Sequence, residues 1–190
     1  MSVVGLDQIL ELVKKEEALL VDLGARDLEN PEGVGLDLRL GSVHKITKGG
    51  AYIEVDGKAG LGRRKGVKTE ELASFKEGSE EQEDFIVKPG EYYLVQTVET
   101  VNTPSDLMPL TYPRSSLFRA GLLLLNTKTD PGYKGKLTMG LTNLSPFEVK
   151  LQMGARIANM VFLRIEGKIV KYRGQHQGGR VSPEEEERQV

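Results

Sequence analysis

Residues 112–135 read YPRSSLFRAGLLLLNTKTDPGYKG. Donor-bearing side chains come first: Arg114, Ser115, Ser116 and Arg119. An apolar run follows, Leu122 to Leu125, and then a turn with one carboxylate and one aromatic ring, Asp130-Pro131-Gly132-Tyr133. Arginine is a rigid fork of donors that matches phosphate oxygens, and serine hydroxyls add short directional bonds. Asp-Pro-Gly is a turn former whose aspartate can bond its own backbone. In order, the stretch reads as an anion-binding corner, a buried strand and a polar hairpin able to hold a water or a sugar. Each part has a plainer meaning as well, since Arg-Ser clusters also cap helices and neutralise neighbours.

Outward from this stretch the chain is written in short strands. GVGLDLRLG (33–41) alternates, with Val34, Leu36, Leu38 and Leu40 on one side and Gly35, Asp37 and Arg39 on the other. That is the pattern of a half-buried strand with Asp37 and Arg39 paired on a solvated face. Residues 43–55 continue in strand style with a hairpin at Gly49-Gly50. FIVKPGEYYLVQTV (85–98) turns at Pro89-Gly90. Downstream, 137–144, 147–151 and 157–161 are strands, and 162–170 is a hairpin turning at Glu166-Gly167. Such spacing predicts an all-β barrel or jelly-roll-like sandwich. At the front, Leu6, Ile9, Leu10 and Val13 fall at helical spacing, so 5–15 is a short helix docked on the β core.

Two regions depart from this pattern. Residues 56–84 are rich in glycine and charge. They are basic at first (Lys58, Arg63, Arg64, Lys65, Lys68) and acidic later (Glu77, Glu80, Glu81, Glu83, Asp84). They read as an exposed charged excursion with a short helix near 69–75. Residues 173–190 lack an apolar period and end in an acidic run, which predicts a flexible tail that closes when something binds. The organisation is thus one domain over 1–172 and a tail over 173–190.

Composition narrows the function classes. The chain has 190 residues, 38% hydrophobic and 28% charged, which suits one soluble globular domain with a real core. The net charge of −2 argues against coating nucleic acid, while leaving room for a local basic pocket. Without cysteine there is no disulfide, thiolate site or cysteine nucleophile. No apolar run approaches a membrane span and no leader pattern is read, so the expected location is cytoplasmic. His44 and His176 stand at no motif spacing and are expected to be structural or solvent-facing. No P-loop or GxGxxG is present.

Together these motifs resemble the superfamily of trimeric dUTP diphosphatases and dCTP deaminases. GVGLDLRLG is similar to its first motif, YPRSSLFRAGL to its second, TDPGYKGKLTMGLTN to its third and GARIANMVF to its fourth. KYRGQHQGG is similar to the closing tail. The resemblance implies a dUTPase-like β-clip or distorted jelly-roll barrel, a homotrimer, and active sites between subunits. It also implies a nucleotide substrate, with no nucleic acid or membrane partner, and Mg²⁺ organising the triphosphate. By matching position, Asp130 is the water-activating carboxylate. Arg114 and Ser115 bind phosphate, supported by Ser116 and Arg119. Tyr133 packs on deoxyribose, Asn126 faces the pyrimidine, and Arg173, Gln175 and Arg180 close on the phosphates. Asp37 approaches the Mg²⁺ through water.

The family's two activities separate on one residue. In the deaminases a glutamate ten residues after the third-motif aspartate moves protons, and here that position is Gly140. The expectation from this difference is hydrolysis of dUTP to dUMP and pyrophosphate on a deaminase-type scaffold. A dCTP deaminase and a non-catalytic nucleotide-binding regulator are the alternatives.

Overall fold

The computed structural model describes residues 2–55 and 62–188. The first helix, α1, spans Leu6–Val13 and buries Ile9 against the sheet, as its apolar spacing requires. Next come strand β1 (Leu20–Val21), helix α2 (Ala25–Glu29) and the long strand β2 (Gly35–Lys48). Strands β3 (Tyr52–Val55), β4 (Gly62–Lys65), β5 (Lys68–Ser74), β6 (Asp84–Val87), β7 (Tyr92–Asn102) and β8 (Leu107–Pro113) follow. Helix α3 (Ser115–Arg119) leads into β9 (Leu122–Leu125) and β10 (Lys134–Asn143). Then come β11 (Val149–Gln152), β12 (Arg156–Arg164) and β13 (Glu187–Arg188).

The protein is mainly β, with a near-closed, barrel-like main sheet in the order β8-β12-β2-β7-β10-β9. β1 adds to β7 and β5 adds to β2, while β11-β6 and β13-β4-β3 form two small sheets. Leu36, Leu38, Leu40, Val95, Val101, Met160 and Phe162 are fully buried at the centre. β10 is the strand that matters most for the site. It pairs with β7 on one side and with β9 on the other, and it carries the turn at 130–133 at its head.

Several sequence expectations change. Strand 33–41 is not half-solvated: Leu36, Leu38 and Leu40 are 0% exposed, and Asp37 on the opposite face is only 2% exposed. Both faces are covered because Asp37 is enclosed by arginines, and Arg39 is bonded to the buried Glu99 through its amide (2.8 Å) and Nε (2.6 Å). Val34 stands outside the strand, exposed. Gly49-Gly50 is not a β2–β3 hairpin, because β2 gives its pairing edge to β5 while β3 pairs with β4. The helix expected near 69–75 is the strand β5, whose Ala73 enters the core. Pro89-Gly90 does turn, but it sends β6 to β11 and β7 to β10. The hairpin at 162–170 is absent among the described residues, since β12 ends at Arg164 and a chain without strand pairing runs on to the tail. β9 is an edge strand with Leu122 and Leu124 inward and Leu123 and Leu125 outward, so the apolar run 122–125 is half-buried. Lys58 and the first part of the excursion, 56–61, lie outside the described residues.

Candidate active site

The turn Asp130-Pro131-Gly132-Tyr133 is held from two sides. Gly132 donates its amide to the carbonyl of Thr103 (2.8 Å), and Thr103 returns a bond to the carbonyl of Tyr133 (2.9 Å). From the other side, just before the tail, Tyr172 donates its amide to the Pro131 carbonyl (2.7 Å). Gly132 adopts φ +82, and a Cβ there would stand 2.9 Å from the Lys171 Cβ, so a glycine is needed for both the backbone and the close approach. The turn therefore presents Asp130 on a rigid support, partly exposed and ion-paired with Lys128.

Beside this turn lies a cavity of ≈ 380 Å³, within the range of small-molecule sites. Its walls are Thr111 of β8, the loop 126–130, Tyr133, residues 137–139 of β10, Tyr172, and His176, Arg180 and Val181 of the tail. Asp130 is the one carboxylate among its described lining residues. Asn126 fixes the loop by donating its side-chain amide to the Thr111 carbonyl. The Thr111 hydroxyl is buried in the wall with no partner. Tyr133 donates its hydroxyl to the Lys136 carbonyl (2.6 Å) and meets Tyr172 edge-on, ring centroids 5.5 Å apart. Burial pushes the Tyr133 phenol up to about 12, with Tyr172 adding to the rise, so it is a neutral wall at physiological pH.

The tail is laid back over β10 and the small sheet. Gly178 donates to the Lys134 carbonyl (2.8 Å), Gln96 to the Gly179 carbonyl (2.6 Å), and Gly66 to the Pro183 carbonyl (2.6 Å). β13 then pairs with β4. This route carries His176 to the cavity, where no spacing in the sequence placed it. Burial lowers the His176 pKa, the charges of Arg64 and Arg180 add to the shift, and Glu187 opposes it. The ring is therefore a neutral acceptor and donor near pH 7.

The remaining candidates fall elsewhere. Arg114 caps α3 and pairs with Asp37, while Ser115, Ser116 and Arg119 are exposed on that short helix, Arg119 lying against its neighbour Phe118. None of the four lines the cavity within this chain. Arg173 lines a second, more open cavity that shares Asp130 with the first, and Gln175 has both amide atoms buried without a partner. Asp37 is fully committed. Its Oδ2 accepts from Arg114 and from Arg156 (2.9 Å), and its Oδ1 accepts from Asn159 (2.9 Å). Burial raises its pKa, but the bonds from Asn159 and Arg114 and the charges of Arg114 and Arg156 outweigh it and hold the carboxyl below its usual range. A carboxylate so saturated is a poor fit to a Mg²⁺ water, and among the described residues no group of three or more His, Cys, Asp or Glu is placed to hold a metal ion. No described helix is long and apolar enough to cross a membrane.

Gly140 lies one residue beyond the cavity wall. A Cβ there would run into the Tyr92 hydroxyl and stand 3.0 Å from its Cζ. Tyr92 thus occupies the direction in which a side chain at 140 would project.

Comparison with known proteins adds to this geometry. Residues 3–165 match the family model described as dCTP deaminase-like. A dCTP deaminase of Pyrococcus abyssi is 40% identical over 153 residues, covering 80% of this chain and 82% of the relative. A dCTP deaminase of Pyrobaculum neutrophilum is 32% identical over 178 residues, covering 89% and 92%. A dUMP-forming dCTP deaminase of Sulfurihydrogenibium sp. is 37% identical over 101 residues, where the chain spans 56% of the relative's length. In structure, the deaminase of Agrobacterium tumefaciens matches with a TM-score of 0.60 at 19% identity, over 86% of this chain and 48% of that one, which shows the shared fold. These relatives overturn the expectation of dUTP hydrolysis. That expectation weighed one glycine above the rest of the chain, and the relatives matching most of its length are named dCTP deaminases.

Proposed function

This chain belongs to the dCTP deaminase-like family, and from that premise we propose that its cavity binds dCTP and deaminates the cytosine ring. The observation that carries the reading is Asp130, the one carboxylate among the described residues that line the cavity, set on a turn braced by Thr103 and Tyr172. Water adds at C4 of the ring, one of its protons passing to N3 and the other to the amine; the C4–N bond breaks and ammonia leaves, so dCTP and water become dUTP and ammonia. A group must carry the proton from water to the amine. Asp130 is assigned this role, with Lys128 orienting it and His176 across the cavity as a second relay. Asn126 and its loop position the pyrimidine, and Tyr133 supplies the flat wall for the deoxyribose.

The exposed Ser115, Ser116 and Arg119 fit this reading through assembly. In a homotrimer they would reach the triphosphate in a neighbouring subunit's cavity, and Phe118, 58% exposed on the same helix, would be covered. Mg²⁺, where required, would arrive on the triphosphate, because the ion is commonly held by substrate phosphates and water. No step of the deamination is routed through it.

Gly140 supports a second reading, in which dCTP binds without turnover, because no side chain at 140 is available to move a proton. One experiment separates the two. Purified protein is incubated with dCTP, and ammonia and nucleotide products are measured. Ammonia release that falls about 10²-fold or more in Asp130→Asn supports deamination. Binding of dCTP without ammonia supports the silent binder.

A further inference from the structure

A second cavity adjoins the one at Asp130, and its cations are not all accounted for. Asp130, Tyr172 and His176 line both cavities. The second adds Arg64, Lys171 and Arg173. Three cationic side chains share that lining with one carboxylate, Asp130, which already has Lys128. The balance favours a polyanion.

Arg64 differs from its neighbours. Arg63 is paired with Glu54 (3.0 Å) and Glu186 (3.7 Å), and Arg180 with Glu187 (2.6 Å). The Arg64 side chain makes no ion pair and no hydrogen bond among the described residues, and its Nε is buried without a partner. A buried donor left unmade is costly, more so on a charged group. It is tolerated here on β4, whose edges are pinned by β3 on one side and by β13 on the other. Arg64 therefore stands with an unsatisfied donor in the wall of the cavity that adjoins the one at Asp130. It comes from the charged excursion and from none of the motifs that match by sequence.

We propose that Arg64 is a phosphate-binding residue, contributed by the β4 excursion, which grips the terminal phosphates of a nucleoside triphosphate together with Lys171 and Arg173. This rests on the nucleotide reading above and extends it to a residue outside the family motifs. Its planar fork matches two phosphate oxygens at once. The bound anion would face His176 along with Arg64, Arg180, Glu187, Asp130, Lys171 and Arg173. Adding negative charge there raises the proton affinity of the imidazole, so binding is coupled to proton uptake.

The test uses the full chain with inorganic tripolyphosphate and, separately, deoxycytidine, both followed by calorimetry. The imidazole titrations are followed by NMR, where His44 is the internal reference. Wild type is expected to bind tripolyphosphate, with Arg64→Gln weakening it about tenfold or more, Arg64→Lys falling between, and deoxycytidine binding unchanged. Tripolyphosphate is expected to raise the His176 pKa in wild type, less in Arg64→Gln, with His44 unmoved. Arg64→Gln binding tripolyphosphate within twofold of wild type overturns the proposal. So does an equal loss in Lys150→Gln, a lysine on β11 paired with Asp84 at 2.9 Å, because the effect would then be general charge. Tripolyphosphate has no ring to deaminate. Failure of dCTP turnover with Arg64-dependent binding intact would therefore count against deamination alone, whereas turnover with Arg64-independent binding would count against this proposal alone.

Discussion

Asp37 and Asp130 look alike in the sequence, each a lone aspartate in a motif beside arginines or glycines, and they end in opposite states. Asp37 is 2% exposed and each of its oxygens accepts from a side-chain donor, drawn from Arg114, Arg156 and Asn159. Asp130 stands partly exposed at a cavity with Lys128 as its only ion-pair partner among the described residues. A buried carboxylate with both oxygens held by side-chain donors supports the fold, while one with free lone pairs at a cavity can handle water. One aspartate joins β2 to β12 and to the start of α3, and the other stands open at the cavity, where the proposed chemistry would use it.

That contrast can be broken most severely at Asp37. Asp37→Ala leaves Arg114 and Arg156 facing a buried void, and removing one side of such a network is expected to cost about 3 kcal/mol of stability, toward the lower end of the range because both arginines are partly exposed. Urea unfolding monitored by tyrosine fluorescence measures it, and a loss under about 1 kcal/mol would mean the network is ornamental. Asp130→Asn is expected to leave the same midpoint unmoved.

A smaller effect is expected at Gly140. Gly140→Ala pushes on the Tyr92 ring, which is 42% exposed and can swing outward, so the cost is about 1 kcal/mol. Tyr92→Ala should abolish that cost in a double-mutant cycle, and an additive pair would show that the two do not touch.

Acid tests the Asp37 network in another way. The Asp37 pKa is depressed on folding, so at low pH the unfolded chain binds more protons than the folded one. Its contribution is fully present above the ordinary value near 3.8 and is lost as pH falls below it, toward the folded pKa. Stability measured at pH 3 should drop more in wild type than in Asp37→Asn, and equal drops would contradict the assignment. The smallest effect belongs to Lys128→Gln. Its ion pair with Asp130 is exposed on both sides and should change stability by less than about 0.5 kcal/mol.

Much of this was legible in the chain. The alternation of Leu36, Leu38 and Leu40 marks a strand, and the order of the motifs around Arg114 and Asp130 marks the family. What was not legible depended on distance. The arginines that absorb Asp37 lie 77 and 119 residues away, so a local reading sees only a solvated Asp-Arg pair. TEELASF, residues 69–75, has the composition of a helix, and pairing with β2 overrides that propensity. His176 reaches the cavity because glycines at 174, 178 and 179 let the tail fold back over β10, and no spacing rule records that path. Gly140 was legible, but the dUTP hydrolysis read from it gives way to the relatives that match most of the chain and are named dCTP deaminases.

The central claim is that Asp130 works on water at C4 of cytosine. Its most direct test is ammonia release from dCTP by wild type and Asp130→Asn side by side, with product nucleotides separated. The expected result is dUTP and ammonia in equal amounts from wild type, and a rate lower by about 10²-fold or more in the variant, with its unfolding midpoint unchanged. Equal rates in the two proteins, or no ammonia from wild type that binds dCTP, would contradict it.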